Sequence, residues 1–360
     1  MLRIISKNVN KEIDKLLKRN AFNSFGVQAK SVQKVITAIQ EDGDAALIRF
    51  TRKFDGVVLK KKELRVDPVE IELAHSHTDK DILVTILRAI KNITEYNIKQ
   101  LPASWSIPGP NDSEVGLRYA PVESAGVYVP GGAAPYFSTV LMNVIPAKVV
   151  GVKRVVLVTP PQKDGTINNL ILAAAYELGV QEIYKVGGAQ AIAALALGTG
   201  SIKPVDKIVG PGNIYVTLAK QLVSGFVGID KLAGPSDSVI IADDSVSPKI
   251  VAADLIVQAE HDALASSILI TTSESLADLV NIELKNMVKG LSRAAVIKKS
   301  FAARGAIFIV PNLEEAVALS NKIAPEHLEL LTQDPKGLFD KVENAGAVFL
   351  GPYSPEVLGD

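Results

Sequence analysis

The chain shows two successive patterns of apolar positions. In residues 31–54 and 79–99, apolar side chains recur every three or four positions, which predicts amphipathic helices with a break at 41–43. From about residue 115 onwards, short aliphatic runs alternate with helical segments to the end of the chain. Such alternation predicts right-handed βαβ units around parallel sheets. The sequence therefore predicts an α/β fold with two Rossmann-like doubly wound domains and a short N-terminal helical segment.

Prolines and helix-capping residues mark the ends of several predicted elements. Residues 248–261 are predicted to form a helix, because Ser247 suits an N-cap and the proline after it suits the first turn. A second helix is predicted to begin after Asn312 and to end before Pro325. Three prolines between residues 102 and 110 predict a loop.

Composition excludes several classes of protein. Hydrophobic residues make up 48% of the 360 residues and charged residues 22%, which is typical of a globular protein. Lys plus Arg and Asp plus Glu number 39 each, so no global field attracts nucleic acid or an anionic membrane. Residues 1–20 lack the apolar core of a signal peptide, and no run reaches the roughly 18 apolar residues of a transmembrane helix. We expect a cytoplasmic protein without nucleic-acid or membrane partners.

The sequence contains few side chains of the types that commonly bind zinc or act as nucleophiles. The chain has no cysteine, which excludes thiolate zinc sites and cysteine nucleophiles. It has four histidines, of which His75 and His77 stand in a polar stretch and are expected to be ordinary surface residues. His261 shares one helix face with Asp254 and Gln258, and an imidazole with amide or carboxylate oxygens can bind zinc. A polar helix end facing solvent explains the same spacing.

Glu326 and His327 follow Pro325, at a predicted junction after a helix. Such junctions carry functional loops in α/β folds, and an imidazole can exchange a proton near neutral pH. The pair is therefore a candidate acid–base pair. A helix-capping histidine beside an exposed glutamate is the alternative.

Three glycine-containing loops, at residues 130–132, 187–190 and 210–213, follow predicted strands and precede helices. Glycine permits tight turns and close approach of a ligand, and helix N-termini attract anions. None matches the dinucleotide fingerprint or the P-loop. Each alone is typical of an ordinary turn, but three in one region indicate a nucleotide-sized ligand.

Taken together, these segments resemble the histidinol dehydrogenase family, in family order and over nearly the whole chain. The matching segments are 127–132 (VYVPGG), 186–195 (VGGAQAIAAL), 209–213 (VGPGN), 233–236 (AGPS), 258–261 (QAEH), 324–329 (APEHLE), 354–356 (SPE) and 359–360 (GD).

The resemblance implies an activity and a set of site residues. The activity is the four-electron oxidation of L-histidinol through L-histidinal to L-histidine in histidine biosynthesis, with two molecules of NAD and one Zn²⁺ per site. It implies these roles: Tyr128, Gln190 and Asn213 contact NAD; Ser236, Gln258, His261, His327 and Asp360 contact substrate; Gln258, His261 and Asp360 bind zinc; Glu326 and His327 are the acid–base pair.

The resemblance also implies a domain plan. Residues 1–22 form the N-terminal segment, which packs against a partner in a homodimer. Residues 23–127 and 237–360 form a discontinuous catalytic domain, and residues 128–236 form the NAD-binding domain. The family continues beyond the position of Asp360 with a segment that carries a Glu and a His to the partner's site, so weakened zinc binding and low activity are expected for a chain that ends there.

Two other functions are compatible with these residues. A zinc hydrolase that uses Glu326 predicts turnover without NAD, although the glycine loops argue against it. A chain that binds NAD but does no chemistry is the other alternative. Zinc-dependent formation of NADH distinguishes all three.

Overall fold

A computed structural model describes residues 2–18, 26–131, 136–232 and 237–358. Two candidate site residues, Ser236 and Asp360, lie outside these ranges. Contacts divide the chain into two compact units. The central unit is Phe25–Ala233, and the discontinuous unit combines Met1–Ser24 with Gly234–Asp360. Within the described ranges, no helix is both long enough and apolar enough to cross a bilayer.

The described strands and helices follow one another along the chain. The strands are β1 (Arg3–Ile5), β2 (Trp105–Pro108), β3 (Glu114–Leu117), β4 (Ser124–Tyr128), β5 (Arg154–Thr159), β6 (Glu182–Lys185), β7 (Lys207–Val209), β8 (Gly228–Ile229), β9 (Asp237–Ala242), β10 (Ser266–Thr271), β11 (Ala306–Ile309), β12 (His327–Leu331) and β13 (Ala347–Leu350). The helices are α1 (Val9–Lys18), α2 (Gly26–Asp42), α3 (Asp44–Phe54), α4 (Pro68–Ser76), α5 (Lys80–Ile98), α6 (Phe137–Val149), α7 (Asn169–Glu177), α8 (Gly188–Leu197), α9 (Ile214–Val223), α10 (Pro248–His261), α11 (Glu274–Val288), α12 (Ala294–Arg304), α13 (Leu313–Ile323) and α14 (Pro335–Phe339).

The central unit is built on a parallel sheet with the strand order β6-β5-β4-β7-β8. The chain leaves β4 towards β5 and β6, and then crosses to β7 on the other side. This reversal is the switch point of a doubly wound sheet, where such folds bind ligands beyond the carboxyl ends of the strands. The strands are aliphatic because helices cover both faces of the sheet.

Helices α2 to α5 pack on the central sheet's helices: α2 contacts α8 and α9, α4 contacts α7, and α5 contacts α6. The apolar face of α2, including Val32 and Ile39, belongs to the same core as Val156 and Ile192. This grouping differs from the predicted plan, which joined residues 23–127 to 237–360. The amphipathic pattern shows that a helix has an apolar face but does not show which sheet that face covers.

The discontinuous unit contains a second parallel sheet, with the strand order β1-β11-β10-β9-β12-β13. Strand β1 pairs with β11, so the N-terminal segment contributes a strand as well as the expected helix α1. Both sheets are parallel and flanked by helices, which confirms the predicted α/β class.

Residues 102–110 do not form the loop that their prolines predicted. Trp105–Pro108 and Glu114–Leu117 pair as an antiparallel hairpin, with Trp105 opposite Leu117 and Ile107 opposite Val115. The prediction was wrong because Pro108 stands at the end of its strand, where a missing N–H is tolerated. The alternating apolar residues on both sides were the overlooked signal.

Candidate functional site

The central unit has a cavity of about 800 Å³ at the carboxyl edge of its sheet. This volume suits a dinucleotide-sized ligand. The loops after four neighbouring strands line it, together with residues of α2 and α3. The lining residues include Val32, Val35, Asp55, Tyr128, Pro130, Gly131, Pro160, Lys163, Gly188, Gln190 and Asn213. The three residues predicted to contact NAD therefore line one cavity.

Tyr128 is the last residue of β4, and its ring is almost fully buried. The Gly188 N–H donates a hydrogen bond to its hydroxyl at 3.1 Å. Burial raises the pKa of Tyr128 to about 12, so the phenol keeps its proton near neutral pH. Gly188 is the first residue of α8 and has φ +63°, a left-handed conformation that favours glycine. Tyr128 therefore has a hydroxyl proton to donate.

Gln190 lies in the first turn of α8 and is 1% exposed. Neither its side-chain oxygen nor its side-chain nitrogen has a hydrogen-bond partner among the described residues. A buried polar group left without a partner costs roughly 1–3 kcal/mol. The side chain lines the cavity, so a polar ligand there can supply the missing partners.

Asn213 caps α9: its Oδ1 accepts hydrogen bonds from the N–H groups of Tyr215 and Val216. This use of the oxygen leaves the amide nitrogen to face a ligand. Asn213 ends the glycine loop that begins at Gly210, where φ is +113° and an added Cβ would lie 2.2 Å from the Tyr128 carbonyl oxygen. Only glycine fits at this position.

An ion pair between the buried Lys220 and the partly exposed Asp230 holds that loop in place. The Lys220 ammonium, 2% exposed, donates to the Gly210 carbonyl at 2.6 Å and pairs with Asp230. The Asp230 carboxylate also accepts from the Gly210 N–H at 2.8 Å. Both backbone polar groups of Gly210 are thus fixed by side chains. The predictions from sequence did not include this pair, although a lysine within the apolar helix α9 was a visible signal.

In the discontinuous unit, α13 ends at Ile323, and its C-cap residue Ala324 has a φ of +54°, which is unusual for a residue other than glycine. The chain then turns through Pro325, and His327 begins β12. The His327 Nδ1 atom lies 2.8 Å from Oε1 of Glu356, which is 5% exposed. The ring also meets Phe349 edge to face. The histidine is thus held by a strand, a carboxylate and an aromatic ring, and it does not cap the helix.

Glu326 is half-buried beside a second acid. Its N–H donates to Oδ1 of Asp237 at 2.8 Å. Burial raises the pKa of Asp237, and the Glu326 charge raises it further, whereas the hydrogen bond from Glu326 lowers it. The candidate acid–base residue Glu326 therefore has a carboxyl neighbour, Asp237, whose ionisation is disfavoured by the Glu326 charge.

Gln258 and His261 stand one turn apart on α10, as predicted. Gln258 is fully buried, and neither polar atom of its amide has a hydrogen-bond partner among the described residues. His261 is exposed at the helix end, where Arg293 donates to its carbonyl oxygen and to that of Glu260. The alternative interpretation, a polar helix end facing solvent, therefore fits the exposed His261 but not the buried Gln258.

Metal ligation in this region rests on few donors. Residues 2–18, 26–131, 136–232 and 237–358 contain no group of three His, Cys, Asp or Glu side chains able to hold a metal ion. The described candidate set is therefore one amide and one imidazole, from Gln258 and His261. The third predicted ligand, Asp360, lies outside the described residues.

A cluster of buried carboxyl groups lies behind His327. Glu329 is two residues further along β12 and is fully buried. Its burial, with the Asp254 and Glu356 carboxyls nearby, raises the pKa of Glu329 to about 10. Burial raises the pKa of Asp254 as well. Asp254 thus interacts with these acids, and Glu356 connects the cluster to His327.

His75 was expected to be an ordinary surface residue, and this prediction was wrong. It is half-buried between α4 and α7, with Nε2 2.6 Å from Oε1 of Glu177. Its ring stacks on Tyr176 at a centroid distance of 4.2 Å. Its contacts are those of helix packing. His77, in contrast, is exposed.

Comparisons with known proteins agree with these features. The family model described as Histidinol dehydrogenase matches residues 18–360. Histidinol dehydrogenase from a Synechococcus species is 50% identical over 100% of this chain and 83% of that protein. The Geobacillus kaustophilus histidinol dehydrogenase is 48% identical over 96% of this chain and 81% of that protein. The crystal structure of histidinol dehydrogenase from Elizabethkingia anophelis superposes with a TM-score of 0.93 at 37% identity, covering 99% of this chain and 82% of that one.

A cavity at the switch point of a doubly wound sheet is typical of dehydrogenases that use nucleotide cofactors, and together with these matches it defines an oxidoreductase. The chain belongs to the histidinol dehydrogenase family, which acts in histidine biosynthesis. The family resemblance predicted from the sequence is confirmed.

Proposed function

We propose that the chain oxidises L-histidinol through L-histidinal to L-histidine, using two molecules of NAD and one zinc ion per site. The observation that carries the proposal is the cavity at the carboxyl edge of the central sheet. Tyr128, Gln190 and Asn213 all line it, although Tyr128 ends β4 and the other two follow β6 and β7. Formation of NADH from L-histidinol tests the proposal.

The polar groups of the cavity fit a dinucleotide. Gln190 offers a buried amide without partners, Tyr128 a protonated hydroxyl, and Asn213 an amide nitrogen beside the start of α9. Lys163, also in the lining, suits a phosphate group. NAD, when bound, accepts a hydride in each of the two oxidations. The three side chains orient the cofactor and contribute no proton transfer of their own.

The buried Gln258 amide is the observation that fits a metal ion. Its oxygen would bind zinc together with the His261 imidazole and, outside the described residues, Asp360. Zinc, when bound, would hold the substrate through its amine and imidazole nitrogens. We also propose Ser236 as a substrate contact. These residues fix the position of the alcohol relative to the base.

His327 would remove the hydroxyl proton of histidinol. With Nδ1 directed at Glu356, the neutral ring carries its proton on Nδ1 and accepts a proton at Nε2. Glu356 then stabilises the imidazolium that forms. The same arrangement serves the second oxidation, because the aldehyde needs a base again when its hydrate is oxidised.

Glu326 would take a proton from the water that adds to the aldehyde. The chain has no cysteine, so a thiohemiacetal is not available and the hydrate is the oxidisable species. The Glu326 N–H donates to Asp237, which fixes the backbone that carries this side chain.

We further propose that the chain forms a homodimer. One face of the β2–β3 hairpin exposes four large apolar side chains, a pattern that marks an interaction surface. They are Trp105, Ile107, Val115 and Leu117. Light scattering tests this, and replacing Ile107 and Leu117 with Ser is expected to give monomers, whereas a wild-type monomer would refute it.

A further inference from the structure

Asp55 lines the same cavity as Tyr128, Gln190 and Asn213, but it comes from outside the sheet. It caps the C-terminus of α3, where its N–H donates to the Thr51 carbonyl at 2.9 Å. One carboxylate oxygen, Oδ2, is buried without a hydrogen-bond partner among the described residues. A buried carboxylate oxygen in a ligand cavity is a site for a hydrogen-bond donor.

The surroundings of Asp55 leave its charge uncompensated. Burial raises the pKa of Asp55 to about 6, and among the described residues no cation or hydrogen bond lowers it. Carboxylates with a structural role in this chain have partners that lower their pKa. Asp44 accepts from Ser201 and pairs with Lys61, and its pKa is lowered. Glu182 accepts from Arg154, and its pKa is lowered as well. Asp55 therefore contributes nothing evident to the fold that would explain a carboxylate at this position.

The chemistry of a dinucleotide narrows the choice of donor. Its phosphates and its carboxamide carbonyl are acceptors and would be repelled by a carboxylate. Its neutral donors are the amino groups of adenine and of the carboxamide and the vicinal ribose hydroxyls. Of these, the hydroxyl pair offers two separate groups from which one carboxylate can accept at once. Lys163 lines the same cavity and suits the phosphates. Lys163 and Asp55 can therefore bind different parts of one ligand.

We propose that Asp55 accepts hydrogen bonds from the vicinal hydroxyls of one ribose of the dinucleotide. This rests on the proposed function, because it assumes that NAD occupies the cavity. NAD carries two riboses, one beside adenine and one beside nicotinamide. The hydroxyl pair is the shared chemistry, and the experiment separates the two positions.

The test is calorimetric titration of the full chain and its Asp55→Asn variant with NAD and two analogues. One analogue lacks the 2′-hydroxyl of the adenosine ribose, and the other lacks that of the nicotinamide ribose. Wild type is expected to bind one of these analogues at least tenfold more weakly than NAD. Asp55→Asn should bind NAD at least tenfold more weakly than wild type and should not discriminate against that analogue.

Removing a buried, uncompensated charge should leave the thermal midpoint of Asp55→Asn unchanged or higher, so the variant should fold. Asp42→Asn is the matched control, because Asp42 is exposed and pairs with Arg49. If wild type binds both analogues as tightly as NAD, or if both proteins lose the same factor for each analogue, the proposal is overturned. If wild type binds no NAD at all, the proposed function itself fails and this inference falls with it.

Discussion

The Nδ1 atom of His327 and the Oε1 atom of Glu356 lie 2.8 Å apart, although the residues are 29 positions apart in sequence. Glu356 sits in a 3₁₀ turn that contacts α10, the helix that carries Gln258 and His261. One buried carboxylate thus connects the candidate base to the element that carries the candidate metal ligands. The orientation of His327 depends on this turn as well as on its own strand.

Replacing Glu356 with Gln should lower kcat for histidinol oxidation by about 10²-fold or more, with a small change in KM. The amide can still hydrogen-bond but cannot stabilise the imidazolium. Steady-state kinetics measure the effect, with Glu343→Gln at an exposed position as the control. An unchanged kcat would show that the His327–Glu356 pair has no catalytic use.

Glu329→Gln should change how stability depends on pH. The pKa of Glu329 is about 10 in the folded chain, well above its unfolded value, so the folded state holds the proton more tightly. Its contribution to the free energy of unfolding is therefore fully present below the unfolded pKa and is lost as pH rises towards the folded pKa. Denaturation between pH 5 and 10 should give a flatter profile for the variant. Parallel profiles would contradict the buried, protonated state of Glu329.

Lys220→Met should destabilise the chain by about 3–5 kcal/mol and weaken NAD binding, because it leaves Asp230 unpaired and releases the Gly210 carbonyl. Adding Asp230→Asn should recover part of the stability but not the NAD affinity. Urea denaturation and NAD titration measure the two effects, with Lys148→Met as the exposed control. Normal NAD affinity in Lys220→Met would show that the loop does not depend on the ion pair.

Gln258→Met should raise the stability of the metal-free chain by about 1–2 kcal/mol, because it removes two buried polar atoms without partners. It should also lower zinc affinity at least tenfold. His261→Asn should lower zinc affinity without the gain in stability, since His261 is exposed. Thermal unfolding without metal and zinc titration test both. A less stable Gln258→Met would mean that the amide has a structural partner.

Local signals in the sequence predicted much of the fold but few of its long-range pairings. Helix Pro248–His261 has the predicted bounds, because the proline stands in its first turn; Ser247 is at the N-cap position but its side chain makes no capping hydrogen bond. Strand β1 was missed, since its three residues become a strand only by pairing with β11. The hairpin at 105–117 was missed because the prolines outweighed the alternation around them.

The candidate site was predictable where residues stand in recognisable segments, as with Gln190, Asn213, Glu326 and His327. Glu356 lies in such a segment, but its partner His327 could not be read from spacing. Asp55 belongs to a helical region that the domain plan assigned elsewhere, so its place in the cavity was not visible. Pairings between distant segments depend on the tertiary fold.

The most direct test of the central claim is the ratio of NADH formed to L-histidinol consumed, with excess NAD and added zinc. The account predicts two NADH per histidinol, with L-histidine as product, and a loss of at least about 10²-fold in rate for His327→Asn. A ratio of one with histidinal released, or full activity in His327→Asn, would contradict it.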